Sequence, residues 1–476
     1  MVDDSEILML RSALTVRSPF GDCAAALAWV ESRRGAVPAE IQTVPWSSLR
    51  SWRFESDTGN LVHESGRFYT IEGIHVRTNW GFVPEWDQPI IVQPEVGVLG
   101  IIGRQFDGVL HFLLQAKIEP GNIDGVQLAP TFQATRSNYT RVHGGKRPRY
   151  AEYFLDPCDR RVHLDVLQSE QGSRFLRKRN RNIIIEARDE LEVAEDFRWL
   201  TLGQILELLR RDNLVNMDTR TIVSCISFGS YSREAIGLCR ELVPRAERLE
   251  NGSGQMLLSA LEGERHRHTI AEIISWITGL KTRYDLSVDR MPLARVRAWQ
   301  RDECAIFHEA RKYFSVIAVE ASIGNREVRS WCQPMLRSAQ VGIIAFLIKL
   351  IGGVYHFLVQ AKLEAGNLDI IELAPTVQCV NDNYRHSKEE QKPAYLDYVL
   401  QVKPEQILYD ALQSEEGGRF YREQNRNMLI EVEGDFDERV PETYLWMTLN
   451  QIKLFIHFNN YFNVEARSLI ASIRFR

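Results

Sequence analysis

The chain repeats itself, and that duplication limits the folds open to it more than any other feature. Trp29, Pro45 and Trp52 recur as Trp276, Pro292 and Trp299, each 247 positions on. From His63 to Asn182 the shift is 245, matching His308 to Asn427 without an insertion. Anchors along that stretch include Trp86 with Trp331, Gln88-Pro89 with Gln333-Pro334, and His111-Phe112 with His356-Phe357. Trp199, Asn216 and Arg220 then match Trp446, Asn463 and Arg467, again 247 apart. The two-residue slips belong in loops, so one domain is written twice, at residues 29 to 220 and 276 to 467. The expected division is a first domain at 1–225, a helical connector at 226–268 and a second domain at 269–476.

The 476 residues are 44% hydrophobic and 25% charged, ample for two cores of ordinary size. A net charge of −5 gives no overall basic field, which argues against nucleic acid as the main partner and leaves a small anionic ligand open. Seven cysteines (Cys23, Cys158, Cys225, Cys239, Cys304, Cys332 and Cys379) are scattered without metal-ligand spacing. They indicate neither a zinc site nor a disulfide framework and read as buried apolar residues in a reducing compartment. The acidic start Met1-Val2-Asp3-Asp4-Ser5-Glu6 is unlike a signal peptide, and no apolar run reaches membrane-spanning length, so a cytoplasmic location is expected, with no membrane partner. In the connector, Asn251-Gly252-Ser253-Gly254 is a turn or linker signal, and His266-Arg267-His268 reads as an exposed basic stretch rather than a metal site.

Hydrophobic patterning indicates an α+β fold. Residues 18 to 33 and 268 to 282 read as helices, with apolar faces at Ala26, Leu27 and Trp29, or Ile273, Ile274 and Trp276. Val96 to Ile102 and Val109 to Ile118 read as strands around a glycine-containing turn. In the second copy, Val341 to Leu350, Gly352-Gly353 and Val354 to Leu363 form a hairpin signature. Helices are expected near Glu170 to Asn182 and Glu415 to Asn427, and over Thr201 to Leu209 and Thr448 to Phe455.

Alternation along the second hairpin strand places Phe112, Leu114, Ala116 and Ile118 on a core face. His111, Leu113, Gln115, Lys117 and Glu119 fall on the other, repeated as His356, Leu358, Gln360, Lys362 and Glu364. A solvated face with a Lys/Glu pair and a binding surface both fit that pattern. The block that follows favours binding: Gly121-Asn122-Ile123-Asp124, Leu128 to Gln133, and Asn138-Tyr139 recur as Gly366-Asn367-Leu368-Asp369, Leu373 to Gln378, and Asn383-Tyr384. Gln and Asn can read a pyrimidine edge and Tyr can stack on its ring, although turns and caps use the same residues. A third shared element holds Arg174, Arg177 and Arg181, matched by Arg419, Arg422 and Arg426. On a helix these would share one face, where guanidinium groups suit a diphosphate, and the flanking glycines would admit a phosphate closely. A solvated basic face is the plainer alternative.

The strings Gln-Ala-Lys-Ile-Glu-Pro-Gly-Asn from Gln115, Leu-Ala-Pro-Thr-Phe-Gln-Ala-Thr-Arg-Ser-Asn-Tyr from Leu128 and Gln-Ser-Glu-Glu-Gly-Gly-Arg-Phe from Gln413 resemble the NDP-hexose 2,3-dehydratase family. The resemblance covers nearly the whole chain, duplication included. It implies two tandem Nudix-like domains, pairing of subunits as a homodimer, and action on dTDP-4-keto-6-deoxy-D-glucose in deoxysugar biosynthesis. It also implies a functional link to an NADPH-dependent 3-ketoreductase. Neither copy carries the Arg-Glu…Glu-Glu run of a Nudix box, so the diphosphate is expected to be bound and not cut. No Gly-x-Gly-x-x-Gly fingerprint follows a strand, which argues against a tightly held NAD.

For that reaction, a C-4 ketone acidifies the C-3 hydrogen, a base removes it, and an acid helps the C-2 hydroxyl leave, with no redox cofactor required. The candidates for base are Glu119 or Glu152, and for acid or enolate donor Tyr153 or Lys117; their duplicates are Glu364, Asp397, Tyr398 and Lys362. Substrate-binding candidates are Gln115, Asn122, Gln133, Asn138, Tyr139, Arg174, Gln360, Lys362, Glu364, Asn367, Gln378, Asn383, Tyr384, Tyr398 and Arg419. Copy one is richer in cations near its Asn-Tyr element (Arg136, Arg141, His143, Lys146, Arg147, Arg149) than copy two (His386, Lys388, Glu389, Glu390, Lys392), and has Gln127 where copy two has Glu372. Catalysis is therefore expected in the first copy. A nucleotide-sugar binding scaffold and a Nudix-like hydrolase are the alternatives.

Overall fold

The computed structural model describes residues 5–142, 144–155, 160–228, 252–261, 263–384, 388 and 391–475. His143, Cys158, Cys239, Asn251, His386, Glu389 and Glu390 lie outside them. Each copy builds a mixed seven-stranded sheet around the expected hairpin. In copy one the hairpin strands are Gly97–Phe106 and Val109–Ile118, closed by Asp107-Gly108 with φ of 50° and 74°. Two successive positive φ values are what a tight hairpin turn demands, and Gly352-Gly353, at 60° and 79°, supply them between Gly342–Ile351 and Val354–Lys362. Arg179–Glu186 runs parallel to Gly97–Phe106, Arg161–Ser169 pairs outside it, and Phe197–Thr201 closes the opposite edge.

The helices expected at 170–182 and 415–427 are not there. Residues Arg179–Glu186 and Gln424–Glu431 are strands, each preceded by a tight turn. Ile183, Ile184 and Ile185 form a β-branched run that favours a doubly buried strand, and it overrides the helical spacing of the arginines. Arg181 points across its ladder to Asp165 at 2.5 Å, as Arg426 does to Asp410, so neither arginine belongs to a phosphate face. The long helices fall close to expectation, at Cys23–Ala36 and Ile270–Arg283, as do Leu202–Leu208 and Leu449–His457, both opened by a threonine capping box.

The repeat extends further than the tryptophan anchors indicate. Ser5–Ala13 lies on the hairpin of copy one, where Ser12 Oγ donates to Leu110 O. Gly252–Leu261, within the stretch read as a connector, does the same in copy two through Ser259 Oγ and Tyr355 O at 2.6 Å. It is therefore the first helix of the second copy.

The two copies are interleaved. Ala39–Val44 of copy one pairs antiparallel with Phe314–Ile323 of copy two, and Leu286–Met291 of copy two pairs with Thr70–Thr78 of copy one. Arg220, fully buried, donates Nε to Ser468 Oγ at 2.7 Å and also reaches Ser414 O; its counterpart Arg467 donates to Ser169 O at 2.6 Å. Neither sequence range closes on itself, and the largest apolar cluster contains Phe112 and Leu114 together with Phe346 and Phe357. The other sheet face is also covered: Leu113 packs against Phe154 and Trp199, and His111 is buried. Among the described residues no helix is long and apolar enough to cross a membrane. The free cysteines there are not uniformly buried, since Cys304 is exposed.

Candidate functional site

A cavity of about 520 Å³ opens beside the first-copy sheet. Lys117 and Glu119 enter it from the end of the hairpin strand, Gln133 from the short strand Phe132–Ala134, and Asn138 from the turn beyond. Glu170 and Lys178 come from the turn between Arg161–Ser169 and Arg179–Glu186, Asn180 from the start of the latter strand, and Asp218 from the first turn of Met217–Ser224. The second copy supplies the opposite wall with Arg326, Trp331, Gln333, Glu416 and Arg419, while Trp52, His63 and Phe68 complete an aromatic side.

These carboxyl groups differ in protonation. Burial opposes ionisation of Glu119, but Lys117, whose Nζ lies 3.4 Å from its Oε1, and Arg326 outweigh that, and Gln133 Nε2 donates to it at 3.2 Å. Its pKa is lowered overall. Asn216, the N-cap of Met217–Ser224, donates to Gln133 Oε1 at 3.4 Å and orients that amide. Burial pushes Glu416 up to about 7, with Glu119 adding to the rise, and raises Glu170 and Asp218 as well. Lys178 is pushed down to about 8 by burial. One carboxyl group biased towards ionisation thus stands among others biased towards the acid form, a division suited to proton transfer in two directions.

Close backbone contact between the copies builds the second wall. A Cβ on Gly121 would lie 1.7 Å from Phe420 O, and one on Gly366 1.8 Å from Phe175 O. Gly121 N donates to Gly417 O at 2.7 Å, and Gly366 N to Gly172 O at 2.6 Å. The paired Gly-Asn elements therefore admit the backbone of the other copy and not a phosphate. Asn122 braces its own turn, donating to Gly125 O at 2.7 Å and Lys117 O at 3.2 Å.

Of the candidates from sequence, the cavity gathers Lys117, Glu119, Gln133, Asn138 and Arg419. It does not gather Glu152 or Tyr153. Glu152 is exposed, and Tyr153 packs beside Phe154 with the Arg160 guanidinium 4.3 Å from its ring. Tyr139 packs in the same satellite core, and Gln115 sits on its strand between Phe197 and Ala129. Arg136, Arg141, Lys146, Arg147 and Arg149 are exposed and do not line it. Gln127 and Glu372 lie in the contact between copies, bonded to Ser414 and Ser169.

Arg174 belongs to the other copy's surroundings, stacked on Phe314 at 4.3 Å, just as Arg419 stacks on Tyr69 at 4.2 Å. In copy two, Lys362 Nζ donates to Gln378 O at 2.9 Å and lies 3.8 Å from Glu364, which accepts from Gln378 Nε2 at 3.3 Å. Asn367 turns as Asn122 does, beside Gly172, and Gln360 lies between Tyr444 and Ala374 on its strand. Asn383 and Tyr384 sit half-buried, and Tyr398 accepts from Gln406 Nε2 at 3.0 Å while Asp397 pairs with Lys392 at 2.8 Å.

The sequence reading missed Glu170, Lys178, Asp218, Arg326 and Glu416 as site residues. Three of them change charge between copies: Lys178 corresponds to Glu423, Arg326 to Gly81 and Glu416 to Gln171. Five cations (Arg50, Lys117, Lys178, Arg326, Arg419) meet five carboxyl groups (Glu119, Glu170, Asp218, Glu327, Glu416) in the cavity. The equivalent positions of the other copy hold Arg297, Lys362 and Arg174 against Glu364, Glu415, Glu423 and Glu465. Burial pushes Glu415 up to about 8 and raises Glu423 and Glu465, as expected where carboxylates outnumber cations.

Comparison with known proteins gives the same twofold pattern. The model of a family described as NDP-hexose 2,3-dehydratase matches residues 23–226 and again 270–473. A protein from Saccharopolyspora spinosa named dTDP-4-dehydro-6-deoxy-alpha-D-glucopyranose 2,3-dehydratase is 48% identical over 445 residues, covering 94% of this chain and 90% of that protein. Proteins of the same name from Amycolatopsis orientalis and Streptomyces violaceoruber are 45% and 44% identical, covering 94% and 95% of this chain and 89% and 97% of their own lengths. With both halves matched and relatives this similar over nearly their full length, the chain belongs to the NDP-hexose 2,3-dehydratase family.

Proposed function

We propose that this chain removes the C-2 hydroxyl of dTDP-4-keto-6-deoxy-D-glucose in the first-copy cavity, giving dTDP-3,4-diketo-2,6-dideoxy-D-glucose. The observation that carries the choice of site is its charge: five cations balance five carboxyl groups and accept a dianionic nucleotide, whereas the three against four at the equivalent positions of the other copy disfavour it. Arg326 and Arg419 are suited to the diphosphate, and the aromatic side formed by Trp52, Phe68 and Trp331 offers faces to the base. Glu119 takes the C-3 proton. Lys117 keeps that carboxylate ionised and lies where an ammonium can stabilise the enolate oxygen at C-4. Elimination and tautomerisation then exchange protons only, so the chemistry needs no oxidant or reductant.

Each copy is proposed to be Nudix-like, with subunits paired as dimers and an NADPH-dependent 3-ketoreductase consuming the product in the cytoplasm. The test is incubation with dTDP-4-keto-6-deoxy-D-glucose in D₂O, using that reductase and NADPH as a trap. A trapped 2-deoxy sugar supports the dehydratase. Unchanged substrate would indicate a binding protein, and immediate dTMP release a hydrolase.

A further inference from the structure

The geometry points to Glu416, a residue of the second copy, as the acid that protonates the departing C-2 hydroxyl in the first-copy cavity. This rests on the dehydratase reading above. Glu416 lines the cavity that holds Glu119, yet it comes from a turn 297 positions further along the chain. That turn is fixed by a relay: Trp331 Nε1 donates to Gln333 Oε1 at 2.8 Å, and Gln333 Nε2 donates to Gly418 O at 2.6 Å. Gly418 N donates to Glu416 Oε1 at 2.9 Å, aiming the carboxyl group. A Cβ at 418 would lie 2.4 Å from that same oxygen, so only glycine leaves the carboxyl group its place. Glu119 stands on the adjoining wall, its Cβ 3.0 Å from where a Cβ on Gly417 would be.

The other copy keeps the relay, with Trp86 Nε1 donating to Gln88 Oε1 at 2.9 Å and Gln88 Nε2 to Ser173 O at 3.0 Å, but it lacks the carboxyl group and the glycine. Its equivalent positions are Gln171 and Ser173, and Gln171 donates to Glu415. An amide cannot deliver a proton to a leaving hydroxyl, which separates the two cavities chemically as well as by charge. The groups acting on Glu416 from surrounding elements are Glu119, Arg419 and Glu170, with Asp218 and Lys117 in the same cavity; burial pushes its acid up to about 7. Its acid form is therefore substantially populated near neutral pH, whereas Glu119 is biased towards the carboxylate.

The step balances without a co-reactant. Glu119 removes the C-3 proton, and the electron pair is held as the C-3/C-4 enolate. Collapse of the enolate restores the C-4 carbonyl, forms the C-2/C-3 double bond and breaks the C-2–oxygen bond. Glu416 supplies the proton with which hydroxide leaves as water. Enol tautomerisation then moves a proton from the C-3 oxygen to C-2.

The test is Glu416→Gln, which installs the residue the fold already carries at position 171. Substrate affinity should stay within about threefold, and deuterium exchange at C-3 in D₂O should persist. Elimination should fall by about 100-fold or more, the scale of general-acid assistance. With fluoride in place of the C-2 hydroxyl, which leaves without a proton, the variant should eliminate at close to the wild-type rate. Gly418→Ala, which retains Glu416 but displaces it, should show the same signature. Elimination of the hydroxyl at an unchanged rate would overturn the assignment, as would joint loss of C-3 exchange and fluoride elimination. If the wild type yields no trapped 2-deoxy product, the dehydratase reading fails, and this assignment with it.

Discussion

Replacing Lys117 by Met should move the ionisation of Glu119, the proposed base, without emptying its surroundings. The ammonium lies 3.4 Å from Glu119 Oε1, and both side chains are buried. At an effective dielectric near 20, opposite charges at that separation attract by about 5 kcal/mol, a ceiling that relaxation lowers. A cation this close typically depresses a carboxyl pKa by about one to three units. With Lys117 gone, burial dominates, and only Arg326 and the Gln133 amide still favour the carboxylate. The acid limb of C-3 exchange should therefore move up by about one to three pH units, with exchange recovering once the pH exceeds the new value. Methionine keeps most of the apolar stem, so packing should largely survive. The assay is deuterium incorporation at C-3 followed by proton NMR across pH 5 to 9. An acid limb at the wild-type pH would refute the reasoning, whatever happens to the absolute rate, because it would show that Lys117 does not govern the base.

Other perturbations probe the remaining features. Lys178→Glu gives the first cavity the residue of the second at that position, and dTDP affinity by calorimetry should fall at least about tenfold; unchanged affinity would show that charge does not distinguish the cavities. Arg467→Ala removes the donor to Ser169 O and Phe462 O in a fully buried place, so denaturant unfolding should lose about 3–5 kcal/mol, against less than 1 kcal/mol if the contact between copies is incidental. Burial holds Glu415 near 8, above its unfolded value, so its contribution to stability is complete below pH about 4.5 and is lost as the pH rises through 8. The melting temperature should accordingly fall between pH 5 and 9, and Glu415→Gln should flatten part of that slope. Residues 1–225 and 252–476 expressed separately should each fail to unfold cooperatively, because each has given a strand to the other, and mixing the halves should restore a single transition.

The hairpins were legible because their turns carry a local signal that nothing distant overrides. Asp107-Gly108 and Gly352-Gly353 favour positive φ, and apolar residues flank both. The turn at 170–178 was misread because its arginines continue into a strand whose alternation overlaps helical spacing for a few residues. Ile183 to Ile185 held the contrary signal. The first helix of copy two was legible in principle, since Met9-Leu10 and Ser12-Ala13-Leu14 recur as Met256-Leu257 and Ser259-Ala260-Leu261. Strand exchange was not. A duplicated sequence offers Ala39–Val44 two equivalent partners, Thr70–Thr78 or Phe314–Ile323, with the same alternation, and local pattern has no means of choosing between them.

The exchange also alters how divergence between the copies must be read. Where repeats fold separately, a substitution changes the pocket of the repeat that carries it. Here Arg326, Glu416 and Arg419 are second-copy residues that finish the first-copy cavity, and Gly81, Gln171 and Arg174 are their first-copy counterparts. The two equivalent sites could therefore diverge by changing either half of the duplication, and both kinds of change are present. Lys178 alters a first-copy position in the first cavity, whereas Arg326 and Glu416 alter second-copy positions that serve that same cavity. Charge near the Asn-Tyr elements, compared copy against copy, therefore does not describe the charge of the cavity. Those cations are exposed, and the charges that separate the cavities lie on walls contributed by both halves. A first-copy domain transplanted alone would carry Glu119 and Lys117 but neither Glu416 nor the two arginines. The interleaved pair is thus the smallest unit that can hold Glu119, Glu416 and the two arginines, the proposed base, acid and anion-binding groups, together.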